Sequence, residues 1–333
     1  MTTAADLKPR ANEHIIDLPN GRKLEYAEGG NATSRVVFLF FSGLLSVGSV
    51  SEIPPAAEKL DAHFLAPSPT GMGRTSPRDP ATPYHLNLIA DTRALLEHTH
   101  PDGVDALYLG GGSYGTVLAQ MIYGAPYDLF PQGRSIRAVL LLAGFSPFKY
   151  HDNYAKCLSW PTYLSVGPPS TLPGRVLQRL FSTVLASKLR TVEGARGFLD
   201  QTLFDKMEPA ERAVMDAWLA KGGRTYDQFI TSMAENNVRS VADTWDGFME
   251  VSDVLHSDWG FDPHALDADH AKPALVVSGD ADDMGGATNK WIADNYPNAT
   301  FRTVPGGHIA GIFHMDELWE QLVALGEDAK QAA

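Results

Sequence analysis

Residues 36–41 read VVFLFF, apolar without a break, and Ser42-Gly43 ends the run. Six residues are too few for a buried helix. A run apolar on both sides suits a central parallel strand covered by helices on its two faces. Similar short runs recur: HFLAP at 63–67, DALYL at 105–109, RAVLLL at 137–142, PALVVS at 273–278 and TFRTV at 300–304. Stretches 87–98 and 114–123 carry apolar residues at helical spacing between them. The alternation predicts an α/β fold, a mostly parallel central sheet with helices on both sides. Pro19-Asn20-Gly21, between HIIDL and KLEYAE, predicts a hairpin ahead of the first parallel strand. The polar residues 1–12 read as a frayed start.

From 147 to 269 the strand rhythm stops. Helices are predicted at 175–189, 208–220, 226–236 and 241–255. Pro209 stands near one start, and Gly222-Gly223 follows that helix's end. Further helices are expected over 289–295 and 316–325. The chain therefore divides into a first core part, 1–146, an inserted all-helical block, 147–269, and a second core part, 270–333.

The string Leu109-Gly110-Gly111-Gly112-Ser113-Tyr114-Gly115 contains G-x-S-x-G, with an apolar strand before it and a helical pattern after it. In that context the motif places a serine on a sharp strand-to-helix turn, with its hydroxyl above the sheet. Small neighbours let strand and helix approach, and the helix start offers free N–H groups to a developing oxyanion. A dinucleotide fingerprint would fall in the first βα unit, and a phosphate loop would end in Gly-Lys-Ser/Thr; neither holds here. A nucleophilic serine needs a base. His308, in VPGGHIAG between a strand and the last helix, is preferred over His314, six residues on. The base needs an orienting carboxylate, and Asp280, Asp282 and Asp283 all follow PALVVS; the residues alone do not choose among them.

With Ser42-Gly43-Leu44, PTGMGRTSP, GGSYG, GDADD and GGHIAG in place, the chain resembles the α/β-hydrolase superfamily over residues 36–311. Its elbow is most similar to that of proline-iminopeptidase-like members, which carry helical lids. The resemblance implies that the 147–269 block is a lid, or cap. It also implies that the acid is Asp282, three residues after Gly279. The N–H groups of Leu44 and Tyr114 would then form the oxyanion hole. Many relatives write His-Gly where this chain has Ser42-Gly43, a change that leaves the backbone donors intact. Epoxide and haloalkane hydrolases of this fold use Asp where Ser113 stands.

The implied activity is hydrolysis of an ester or lactone of a small to medium, largely apolar substrate. An aminopeptidase of the proline-iminopeptidase type, a carbon–carbon bond hydrolase and a slow-turnover binding protein are the alternatives. Leu45, Trp160, Tyr163, Phe229, Met233, Trp245 and Phe248 are expected to line the pocket. Asp246 and Glu250, one helical turn apart, are the lid acids that could hold a substrate amino group. No cofactor or metal is expected, and with Cys157 alone there is neither an intramolecular disulfide nor a cysteine-rich metal site. Forty Asp and Glu against 27 Lys and Arg give a net charge of -13, which argues against a nucleic-acid partner. No window reaches the ~18 apolar residues of a spanning helix, and the start lacks a signal-peptide core. The expectation is a cytoplasmic protein with a small-molecule substrate, no membrane partner and a possible homodimer.

Overall fold

The computed structural model describes residues 1–332. Eight strands form one sheet: β1 (Glu13–Asp17), β2 (Lys23–Gly30), β3 (Val36–Phe41), β4 (His63–Pro67), β5 (Ala106–Gly112), β6 (Ile136–Leu142), β7 (Ala274–Gly279) and β8 (Ala299–Val304). Their order is β1-β2-β4-β3-β5-β6-β7-β8. The β1–β2 and β2–β4 pairings are antiparallel, and every pairing among β3 to β8 is parallel. The hairpin is closed by Gly21, at φ 78°, whose N–H donates to the Leu18 carbonyl over 2.9 Å.

Eleven α-helices lie among the described residues: α1 (Pro55–Lys59), α2 (Tyr84–Thr99), α3 (Gly115–Tyr123), α4 (Trp160–Val166), α5 (Val176–Lys188), α6 (Val192–Leu199), α7 (Pro209–Lys221), α8 (Tyr226–Ser240), α9 (Asp246–His256), α10 (Gly286–Asn295) and α11 (Met315–Ala332). Strand β3 shows how the sheet is covered. Val37, Leu39 and Phe41 join the core beneath α2, α3 and α10. Val36, Phe38 and Phe40 face α11, whose fully buried Trp319 meets the rings of Phe38, Phe40 and Phe64. Both alternating faces are apolar because both are buried, which is why the run is unbroken. A third cluster lies within the helical block, around Leu199, Phe204, Met215, Phe229 and Ile230.

The differences from the sequence reading have physical causes. Residues 1–12 are not frayed. Thr3 bridges Thr191, the Val192 N–H donates to the Thr2 carbonyl over 2.8 Å, and the Asn12 amide donates to the carbonyls of Glu28 and Val50. Those partners are distant in sequence, so the local polar composition did not reveal them. Helix α6 carries Gly194 and Gly197, which lower helix propensity by about 1 kcal/mol each relative to alanine. Packing overrides this, since a Cβ on Gly194 would lie 2.4 Å from the Lys188 carbonyl oxygen. The helix expected over 241–255 begins instead at Asp246.

At the antiparallel edge, buried His63 and His100 meet ring to ring, Nδ1 to Nε2, at 3.2 Å. The other His63 nitrogen lies 3.2 Å from Glu28. Burial, and then the neighbouring His63, pushes His100 down to about 4 from the usual 6.5. Burial also lowers His63, against the opposing pull of Glu28. The folded state therefore resists protons that the unfolded chain binds. Stability is fully present above about 6.5 and declines as pH falls toward about 4. Chemical denaturation across this window should show that decline, and His100→Gln should flatten it. An unchanged slope in the variant would show that the pair does not contribute.

Candidate active site

Ser113 occupies the turn between β5 and α3 with φ 51°, in the left-handed region. A non-glycine residue there costs on the order of 1–3 kcal/mol and persists only where its surroundings impose it. They do so here. The Ser113 N–H donates to Leu142 O on β6 over 2.8 Å. Its carbonyl accepts from the Thr116 N–H at 3.0 Å and the Thr116 hydroxyl at 2.7 Å. A Cβ on Gly115 would sit 2.0 Å from Phe41 O, and one on Gly111 would sit 2.4 Å from Gly115 O. The two flanking glycines are thus demanded by close approach of strand and helix.

The ends of β7 and β8 bring two distant groups to this turn. His308 Nε2 lies 2.9 Å from Ser113 Oγ, and His308 Nδ1 lies 3.1 Å from Asp282 Oδ1. The Asp282 side chain is fully buried, and the same Oδ1 accepts from the N–H groups of Met284 at 2.9 Å and Gly285 at 3.3 Å. Oδ2 has no hydrogen-bond partner. Burial pushes the Asp282 carboxyl up, but the hydrogen bond and charge of His308 and the two backbone donors outweigh it, and the net shift is downward. Asp280 instead accepts the Gly306 N–H at 2.8 Å and is exposed, as is Asp283. His314 faces Glu317, at 3.9 Å, and makes no contact with Ser113.

A cavity of about 710 Å³ opens over Ser113 and His308. Gly43, Leu44 and Tyr114 contribute to its wall, and a Cβ on Gly43 would be 3.4 Å from Ser113 Cβ. Among the described residues, neither the Leu44 nor the Tyr114 N–H donates to a protein acceptor. Of the expected lining residues, Leu45, Phe229 and Met233 face the cavity. Trp160, Tyr163, Trp245 and Phe248 do not. Trp160 is 71% exposed and stacks on Tyr163, while Trp245 packs edge-on against Phe248. Their chemical type suited a pocket, but the two pairs pack ring on ring outside it. Glu250 is paired with Arg78 at 3.1 Å and Arg175 at 3.7 Å, Asp246 is exposed, and neither lines the cavity.

Sequence reasoning missed several wall residues: Thr162, Phe198, Leu203, Trp218 and Arg224. Arg224 lies over the Trp218 ring at 4.3 Å and pairs with Glu52 at 3.3 Å, yet its buried Nε has no acceptor. Also missed was Glu211 on α7, which accepts the Gly307 N–H at 3.0 Å, next to His308. Its contribution could not be found without knowing how α7 packs.

An eight-stranded, mostly parallel sheet with a serine on its central strand-to-helix turn defines the class. The profile of the alpha/beta hydrolase family matches residues 36–325, and the chain belongs to that family. No curated protein sequence matches it. Among solved structures it is similar to a bromoperoxidase from Bacillus anthracis, with 14% identity, TM-score 0.63 and coverage of 94% of this chain and 99% of that one. A thermophilic esterase from Thermogutta terrifontis shows 16% identity, TM-score 0.54 and coverage of 96% and 99%. The enol-lactonase from Burkholderia xenovorans LB400 shows 18% identity, TM-score 0.57 and coverage of 94% and 99%. At such identities the likeness speaks for the fold.

The geometry separates the three aspartates experimentally. Asp282→Asn should lower kcat on the order of 10⁴-fold by leaving the imidazole in the wrong tautomer. Asp280→Asn should change it by no more than a fewfold. Steady-state kinetics on both purified variants checks this, and the reverse ranking would move the acid elsewhere.

Proposed function

We propose that this chain is a serine hydrolase that cleaves an ester or lactone through an acyl-enzyme. The observation that carries the reading is the unbroken hydrogen-bonded path Asp282–His308–Ser113 at the wall of the cavity. In this reading His308 Nε2 takes the hydroxyl proton as Ser113 Oγ attacks the carbonyl carbon. Asp282 holds Nδ1 and stabilises the imidazolium that results. The N–H groups of Leu44 and Tyr114 receive the oxyanion, with a lost donor worth about 3–4 kcal/mol in a known case. His308 then protonates the leaving alkoxide, and water, activated by the same ring, clears the acyl group. A lactone follows the same path, except that its leaving alkoxide stays tethered to the acyl group.

The walls support this substrate class. Leu45, Phe198, Leu203, Phe229 and Met233 present apolar surface to the acyl part. Arg224, with its unpaired Nε, offers one polar anchor. Residues 147–269 act as the lid that shields this space from water. The esterase and the enol-lactonase among the similar structures are compatible with either bond. An aminopeptidase is less well supported, because the two lid acids it would use do not reach the cavity.

A fluorophosphonate probe should label the wild type and fail to label Ser113→Ala. The variant should keep the wild-type melting temperature and lose about 10⁴-fold or more in kcat on p-nitrophenyl esters. Labelling that persists in Ser113→Ala would refute the assignment. Met233→Trp should shorten the longest acyl chain accepted, raising KM for long esters while leaving acetate turnover near the wild-type value. Equal effects on both would place the acyl chain elsewhere.

A further inference from the structure

The helical block carries a surface that the proposed chemistry does not use. Of the nine large apolar side chains left exposed among the described residues, five fall between positions 160 and 184: Trp160, Leu172, Val176, Leu180 and Val184. The last three are spaced by four on α5, so they form a stripe along one helical face. Their exposures are 55%, 57% and 55%, and Trp160 stands at 71% on the adjoining α4. The inner side of α5 packs on α4, α6 and α9, with Gln178 buried and donating to the Ser170 carbonyl at 3.0 Å. The outer stripe has no partner in the fold.

Charge around the stripe is one-sided. Residues 153–192 contain five cations and no carboxylate, in a chain whose net charge is -13. Lys156, Arg179, Lys188 and Arg190 are exposed and form no ion pair among the described residues. The fifth, Arg175, is neutralised by Asp253 of α9 at 2.7 Å and lies 3.7 Å from Glu250. Of the other carboxylates near this segment, Glu193 accepts the Thr2 N–H and Asp152 precedes it in sequence. An apolar stripe edged by long cationic side chains, with a tryptophan at its border, matches the acyl and headgroup layers of an anionic bilayer.

We infer that this face of the helical block docks on the surface of an anionic lipid bilayer. The stripe of α5 would lie in the interface plane, with Trp160 at headgroup depth and the four free cations against lipid phosphates. A second copy fits less well, since a two-fold contact on the stripe would set these cations against themselves. No helix among the described residues is long and apolar enough to cross a membrane, so the contact would be peripheral. The inference departs from the expectation of no membrane partner, which considered spanning segments only. It stands whether or not Ser113 is a nucleophile.

The test is cosedimentation of the full chain with phosphatidylcholine vesicles, with and without phosphatidylglycerol. Binding should need the anionic lipid, weaken as salt rises, and shift tryptophan emission to the blue, a shift that Trp160→Phe reduces. Arg179→Glu with Lys188→Glu should weaken binding by at least about tenfold. Leu180→Glu with Val184→Glu should do the same. Both double variants should keep the wild-type melting temperature and ester turnover, since none of the four residues lines the cavity. Absence of binding, equal binding to neutral vesicles, or undiminished binding by both folded variants would overturn the inference. So would a dimer that Leu180→Glu with Val184→Glu dissolves while lipid binding is absent.

Discussion

The left-handed backbone at Ser113 is the constraint on which the rest of the structure turns. Its φ of 51° is held by the Ser113 N–H on β6 and by two hydrogen bonds from Thr116 to its carbonyl. The neighbouring strand supplies the other half of the clamp, because Phe41 O lies where any side chain at position 115 would begin. A loose loop could not keep the hydroxyl 2.9 Å from an imidazole that is 195 positions away in sequence. The buried sheet provides rigidity, and the strain is concentrated where chemistry is proposed.

The helical block is tied to the core by polar contacts as well as by apolar packing. Asn237 on α8 donates to the Leu45 carbonyl at 2.7 Å, next to the Leu44 N–H proposed for the oxyanion. Glu211 on α7 holds the Gly307 N–H beside His308. Arg224, just after α7, pairs with Glu52 of the core. Two of these contacts sit within one residue of a proposed site group. In the proposed mechanism the position of the block is thereby coupled to both the oxyanion loop and the base. In that proposal the insertion aligns the site in addition to enclosing the substrate.

Much of the fold could be read from local pattern. The runs that become β3 to β7 were legible because strands buried on both faces leave an apolar signature that needs no context, whereas β8, at the sheet edge and only partly buried, was marked by its β-branched and aromatic residues. The glycines around Ser113 were legible for a related reason, as close approach of backbones excludes every side chain. By contrast, α4 and α6 were not anticipated. One is only seven residues long and the other carries two glycines, so local pattern signals them weakly and both depend on what they pack against.

Sequence by itself determined the strand and helix rhythm, the turn that presents Ser113, and a short choice of partners for it. Those features are encoded by neighbours a few positions apart, where periodicity and steric exclusion act. Only the tertiary structure decided which aspartate the ring faces, that Trp160 and Trp245 turn away from the cavity, and that Glu211 and Arg224 turn toward the site. It also decided that residues 1–12 are held down and that one stripe of α5 stays uncovered. Each of these depends on the direction of a side chain relative to an element distant in the chain, and composition carries no information about direction.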